Sequence, residues 1–425
     1  MDTTDQKQPI DVFPRNPILF RFCFLLITLF IILINNSSFF FLLFLERLLA
    51  PVLTDLLKFL ASDFVKIHAN MPFKSGSGDT TLQWLLLLLI TIVSIIGCIV
   101  WTSIDRKNKV YPRLYYWLTV LIRYYIGITM FMYGFVKVFS SQFPFPDIIS
   151  LTEPLYKFSP MGLAWTFYGA SPAYNIFIGI AEMLGILLLF RRTSTLGALI
   201  MLGVSINVMA TNYFYDVPVK MVSTALVLLS LFLLAPNIQK FYVLLIKQKP
   251  VQLSRPPQPT FSKRWKRIAF ISIKYLFIIL TIASLIPRTH ATRKYMAQRK
   301  GVKSELYGAY YIPFKEHLNR KKINIPDHWH YLMFKDEHTL FIRDEQMELD
   351  SYQIIPEKDS KEFRIVGKPN EPSLDLKYRL KEDGLILIEA GSKDSTSIFL
   401  EKIDMDNIDL KTRTFRWVQD YPYNR

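Results

Sequence analysis

Residues 115–139, YYWLTVLIRYYIGITMFMYGFVKVF, decide how this chain is built. The stretch is 25 residues long and carries two charges, Arg123 and Lys137. An apolar run of about 18 residues or more is long enough to cross a bilayer as a helix. Charges at that depth are costly, so they turn toward other protein. At 3.6 residues per turn, Arg123, Gly127, Gly134 and Lys137 return to one face. The two glycines let a neighbouring helix approach closely there. The pattern therefore predicts a helix packed inside a membrane bundle.

Other stretches read the same way. Spans are expected at Ile18–Ile34, Leu82–Val100, Tyr115–Phe139, Ala173–Phe190, Leu196–Ala210, Val217–Leu234 and Ile268–Ile286, about seven in all. The first is read as a retained helix, because no small-residue cleavage site follows it. Phe39–His68 differs. Asp55, Lys58, Ser62 and Lys66 make one polar stripe among leucines and phenylalanines, as in a helix lying in the interface. A re-entrant segment is the alternative, and Pro51 is expected to break the helix.

Charge divides the chain. Residues 1–300 carry 31 Lys and Arg against 12 Asp and Glu, while residues 301–425 carry 20 against 23. The excess sits in short loops at Arg106–Arg113, Arg191–Arg192 and Lys240–Arg267, which are alternate loops of the expected bundle and so fall on one side. The positive-inside rule then places the N-terminus in the cytoplasm of a bacterial inner membrane and the C-terminal region in the periplasm. Basic residues beside lipid head groups explain the charge without any nucleic acid.

After Gly301 the apolar pattern changes to period two. Eight short runs, beginning at Tyr307 and ending at Lys402, are separated by turn residues such as Asp383-Gly384. They predict an all-β antiparallel meander closing as a lipocalin-like barrel. The expected organisation is residues 1–113 for N-terminal helices, 114–247 for a four-helix core, 248–267 for a proline-rich linker, 268–287 for the last span, and 301–425 for the β domain. Trp329, Phe415, Trp417, Tyr421 and Tyr423 are expected in the barrel core.

Polar residues at membrane depth are few. Glu182 lies between Gly179 and Gly185, all on one face, and is expected to pair with Arg123 at matching depth. Lys137, Asn207, Asn212, Tyr215, Asp216 and Lys220 gather toward the outer boundary, and with Arg123 and Glu182 they suggest a polar pocket opening outward. Asp216 and Lys220 stand at i and i+4 and can pair, and Pro218 suits the first turn of a helix. Each feature also has a plain structural reading: a buried ion pair, a cap, a snorkelling lysine. In the loop Gly76–Thr81, Asp79 either helps cap the next helix or overhangs the same pocket.

Cofactor signals are sparse. The six histidines lie outside the helices, so no haem is expected between membrane helices. Cys23 and Cys98 make neither an iron–sulfur site nor a disulfide framework. Asp327, His328, His330 and His338 have spacing that permits a metal, but surface histidines are the preferred reading and no metal is assigned.

Residues 115–240 resemble the DoxX family of four-helix membrane proteins, through Arg123/Gly127/Gly134/Lys137 and Glu182-x2-Gly185. The whole chain is similar to a longer form in Bacteroidetes. That form has extra N-terminal helices with a GSGDTT-like loop, here Gly76–Thr81, and a YDVPVK-like segment, here Tyr215–Lys220. It closes on an extracytoplasmic domain with a W-x-x-x-YP-x-NR tail, here Trp417–Arg425. Some relatives are subunits of thiosulfate:quinone oxidoreductase, so the resemblance implies a redox-associated component binding a quinone-like molecule. A non-enzymatic scaffold or accessory subunit, with a periplasmic or membrane protein partner, is the alternative it leaves. Fold kinship does not fix an activity.

Overall fold

A computed structural model of the chain describes residues 13–35, 38–39, 41–65, 78–139, 142–254, 263–299, 304–316, 319–320, 323–357, 360–367, 373–390, 397–413, 416 and 418–419. The expectations for Lys66, Gly76, Phe415 and most of the Trp417–Arg425 tail lie outside the described residues. Two compact units emerge, one of residues 1–142 and 173–288, the other of residues 143–172 and 289–425.

The first unit is helical. Six helical segments are long and apolar enough to cross a membrane. They are α3 (Thr81–Ile104), α4 (Pro112–Val138), α7 (Pro172–Met183) with its 3-10 extension Leu184–Leu189, α8 (Ser194–Phe214), α9 (Lys220–Leu234) continued by α10 (Ile238–Leu245), and α11 (Arg264–Arg299). Helix α1 (Pro17–Leu33) is apolar but only 17 residues long, the lower limit for a span. The chain is an integral membrane protein. Most of its exposed large side chains on these helices are apolar, as lipid-facing surfaces require.

Helix α4 is the centre of the bundle. Ile122, Tyr125, Ile126 and Met130 on it are fully buried in the main apolar cluster. Helix α1 ends beside it, where Tyr125 donates to Ile34 O at 3.1 Å and the Ser38 and Thr129 hydroxyls meet at 2.5 Å. Asn35 closes that turn on itself, exchanging hydrogen bonds with the Phe39 backbone at 2.9 and 3.0 Å. Non-helical backbone inside a bundle survives only with such internal partners.

Helix α2 (Leu42–Phe59), extended by a π-helical turn over Leu60–Val65, packs on α3 through Leu57, Ala61, Leu82, Leu86 and Ile90. Pro51 lies inside it without ending it, contrary to expectation. The proline ring is on the exposed side, so the hydrogen bond it removes is lost without disturbing the packed face. Phe44, Leu48, Val52 and Phe59 leave an apolar stripe exposed along this helix.

The second unit is a closed barrel of eight antiparallel strands in sequence order, β1 pairing with β8. The strands are β1 (Gly308–Tyr311), β2 (Tyr331–Phe334), β3 (Thr339–Arg343), β4 (Leu349–Pro356), β5 (Glu362–Val366), β6 (Leu374–Leu380), β7 (Gly384–Glu389) and β8 (Ser397–Ile403). Alternate residues point inward, as the period-two pattern requires. Trp329, Leu332, Phe334, Leu340, Phe363, Leu385 and Leu400 are among the side chains that fill the interior. Residues 143–172 belong to this unit. Their short helix α5 (Ile148–Leu151) lays Ile148 over Ala309 and Met333 on the outer wall of β1 and β2. Arg343, buried beneath it, donates to Ile149 O at 3.2 Å and forms an ion pair with Glu153. The helix α6 (Pro160–Ala170) follows in the same segment, and a last short helix, α12 (Asp409–Thr412), follows the barrel.

Candidate functional site

The polar groups of the bundle are positioned by one helix pair. Gly127 of α4 faces Gly185 and Gly134 faces Gly179. A Cβ on Gly134 would fall 2.3 Å from Gly179 O, and one on Gly127 2.8 Å from Gly185 O. These glycines bring the two backbones together as the sequence pattern requires, and they also fix the antiparallel register. Arg123 then stands level with the Leu188–Leu189 turn. Its Nε donates to Leu188 O at 2.8 Å.

Glu182 is therefore paired otherwise than expected. Lys137 Nζ donates to both carboxylate oxygens, at 2.8 and 2.6 Å, with the side chains only 8% and 3% exposed. The expected Arg123–Glu182 pair is not formed, and the reason lies in side-chain direction. Helical side chains lean toward their own N-terminus. On antiparallel helices, Lys137 and Glu182 lean toward each other, whereas Arg123 and Glu182 lean apart. Depth counting alone also misplaced Arg123, because α4 starts at Pro112 and outruns its partner. The Lys137 ammonium also lies 5.7 Å from the Tyr133 ring centroid.

The partner segment does not stay α-helical. After Met183 it tightens into a 3-10 turn, where a single helix had been expected to Phe190. Carbonyls near the end of that turn find other donors. Leu188 O takes Arg123, and Leu187 O takes the Thr193 hydroxyl at 2.7 Å. Gly197 of α8 fits against Leu187 and Leu188 at the same place.

The remaining sequence candidates form another group at the start of α9. Asp79 reaches across from the loop before α3, accepting from Lys220 N at 2.5 Å and Met221 N at 3.0 Å. It is the cap of α9, which starts at Lys220 and leaves Pro218 outside the helix. A carboxylate accepting the first free N–H groups is what a helix N-terminus favours. Asp79 has φ of 58°, and Gly78 beside it lies against Pro218 O, so this loop is shaped to fit the Tyr215–Lys220 segment. Thr80 caps its own helix α3, accepting from Gln83 N at 3.3 Å. Lys220 Nζ pairs with Asp216 at 2.7 Å, the i,i+4 pair read from sequence. Asn212 donates to Val219 O at 3.2 Å and is buried, while Asn207 and Tyr215 are exposed. The candidate residues thus separate into the Lys137–Glu182 pair, the Asp79 cap with its neighbours, Arg123 near the opposite end, and two surface residues.

Three further nodes carried no clear sequence signal. Arg21, buried in α1, donates to Thr102 at 3.0 Å, to Asp105 O at 2.6 Å and to Tyr111 at 2.9 Å, tying α1 to the turn between α3 and α4. Hydrogen bonds from Asn108 and Tyr111 hold the Asp105 carboxyl below the usual range. Lys274 of α11 lies over Phe190. Arg343 binds the 143–172 segment as described. In the barrel, His330 Nε2 is 3.2 Å from Glu345, and among the described residues no three His, Cys, Asp or Glu side chains converge as a metal site.

No family model matches the chain. The uncharacterized protein YwoB of Bacillus subtilis (strain 168) is 35% identical over 132 residues, which cover 82% of that protein and 30% of this chain. The chain belongs to the YwoB family. No solved structure matches it. YwoB is described as uncharacterized, so kinship with it names no reaction. At 132 residues, the stretch shared with YwoB is far shorter than the 425 residues present here.

Proposed function

We propose that this is a DoxX-like membrane component that binds a lipophilic, carbonyl-bearing ligand of quinone type at the Lys137–Glu182 pair. One observation carries the reading: a lysine and a glutamate are withdrawn from water together inside a helix interface made tight by glycines. Burying such a pair costs more than apolar side chains of similar volume would. Ionisable groups kept inside a membrane usually serve a ligand or a proton. A lysine offers a hydrogen bond to a quinone carbonyl, and the adjacent carboxylate can take or give the proton that accompanies reduction. An external reductant, such as a partner electron carrier, supplies the electrons.

The test is chemical. Full-length protein purified in mild detergent is extracted with organic solvent and the quinone measured per mole of protein. The expected result is bound quinone in the wild type and its loss in the Lys137→Met/Glu182→Gln double variant. A quinone-free wild type, or undiminished quinone in the variant, would refute the proposal.

The second unit favours an accessory role as an additional reading. Its barrel interior is filled with side chains, which leaves the outer surface for recognition. Residues 148–157 hold to that surface through Glu153–Arg343 and Lys157–Glu348. Because these residues of the α4–α7 connection hold to the barrel, we read both as lying on one side, the periplasmic side drawn from loop charge. Cross-linking in native membranes is expected to join residues 301–425 to a second protein. A lone chain under every mild condition would oppose this role.

A further inference from the structure

Among the described residues, Arg123 and Lys274 are basic groups drawn into the bundle without a carboxylate beside them. Arg123 is 5% exposed, and among the described residues its hydrogen-bond partner is the Leu188 carbonyl, which takes Nε. The half-buried Lys274 ammonium sits 5.2 Å from the Phe190 ring centroid and 5.9 Å from that of Tyr275, rings that are themselves 6.5 Å apart. Arg123 and Lys274 converge on one short stretch of chain, Leu188 to Phe190, with Arg191 next in sequence, so like charges act on each other there. Among the described residues, no carboxylate pairs with Arg123 or Lys274.

Like charges drawn together in a partly dry place call for an anion. We propose that Arg123 and Lys274 hold the phosphate of an anionic phospholipid, drawn from the leaflet at the Arg191 end of the bundle. Three features favour a lipid over a free ion. Leu188 and Phe190, which Arg123 and Lys274 engage, stand at the very end of the α7 segment, where a head group would lie. The flank of α11 beside Lys274 exposes Ile271, Ile273 and Leu276, a surface for acyl chains. The helix begins with Arg264, Lys266 and Arg267, which enrich anionic lipid around it. Guanidinium and ammonium groups together suit phosphate oxygens, and the Phe190 and Tyr275 rings hold the lysine in place.

The full chain in mild detergent is incubated with dioleoyl phosphatidylglycerol or dioleoyl phosphatidylcholine, and retained lipid is counted by native mass spectrometry. The wild type is expected to keep phosphatidylglycerol in preference. Arg123→Gln and Lys274→Met should each reduce that retention about fivefold, the effect of one basic residue on an anionic lipid. Lys107→Gln, an exposed basic residue in another loop, should leave it unchanged. If Arg123→Gln does not fold, Lys274→Met and Arg123→Lys decide, the latter expected to retain lipid better than Lys274→Met. Equal retention of both lipids by the wild type would overturn the proposal, as would unchanged retention in Lys274→Met. Displacement of the lipid by millimolar inorganic phosphate would also overturn it, by making a soluble anion the ligand.

Discussion

At the scale of single residues, the bundle depends on which charges meet and which backbones touch. The Lys137–Glu182 pair is buried on both sides, so removing one partner leaves the other charged and unmet. Glu182→Gln is expected to destabilise the chain by about 3–5 kcal/mol, and the Lys137→Met/Glu182→Gln double variant by less, because no orphan charge remains. Thermal unfolding in detergent measures both; equal losses would remove the energetic basis for the pair. Gly134→Ala meets Gly179 O at 2.3 Å and has only backbone and Met183 to displace. It should cost about 1–3 kcal/mol as overpacking. Gly203, with nothing within 4 Å of an added Cβ, should accept alanine readily in the same assay.

Among elements, two attachments carry the architecture. Asp79 joins the loop before α3 to the N-terminus of α9, so Asp79→Ala should cost about 1 kcal/mol and loosen the first turn of α9. Hydrogen exchange at Lys220 and Met221 reads that loosening directly. Arg343 attaches α5 to the barrel wall; Arg343→Ala should expose residues 148–157 to proteolysis while leaving the barrel strands protected. Cleavage unchanged from the wild type would mean that the apolar contact of Ile148 with Met333 suffices. How far the elements could be read beforehand follows from the same physics. All eight strands were legible, because a barrel interior imposes strict alternation on its own sequence. The glycine face of α4 was legible because helical geometry is periodic. The Arg123–Glu182 pairing was misread because depth along a helix says nothing about the direction in which side chains lean. The cap of α9 by Asp79 could not be placed, since it joins residues 141 positions apart.

On the scale of the whole molecule, a helical membrane unit and a β-barrel unit are joined in one chain, and the connection between α4 and α7 is built into the barrel unit. The charge asymmetry predicts opposite exposure for cysteines introduced at exposed sites. Lys381→Cys in the barrel should react with a membrane-impermeant maleimide in intact spheroplasts, and Lys107→Cys between α3 and α4 only after lysis. Reversal of that pattern would invert the assigned orientation. The native Cys98 is buried and Cys23 half-buried, both within apolar helices, and the cysteine-free parent with Cys23 and Cys98 replaced by serine sets the background. The most direct test of the central claim asks whether a ligand touches the buried pair. Infrared difference spectra of the full chain, recorded on adding a quinone analogue, should show a shifted carboxylate band that disappears in Glu182→Gln. A difference spectrum that is the same in wild type and variant would place the ligand elsewhere and contradict the account.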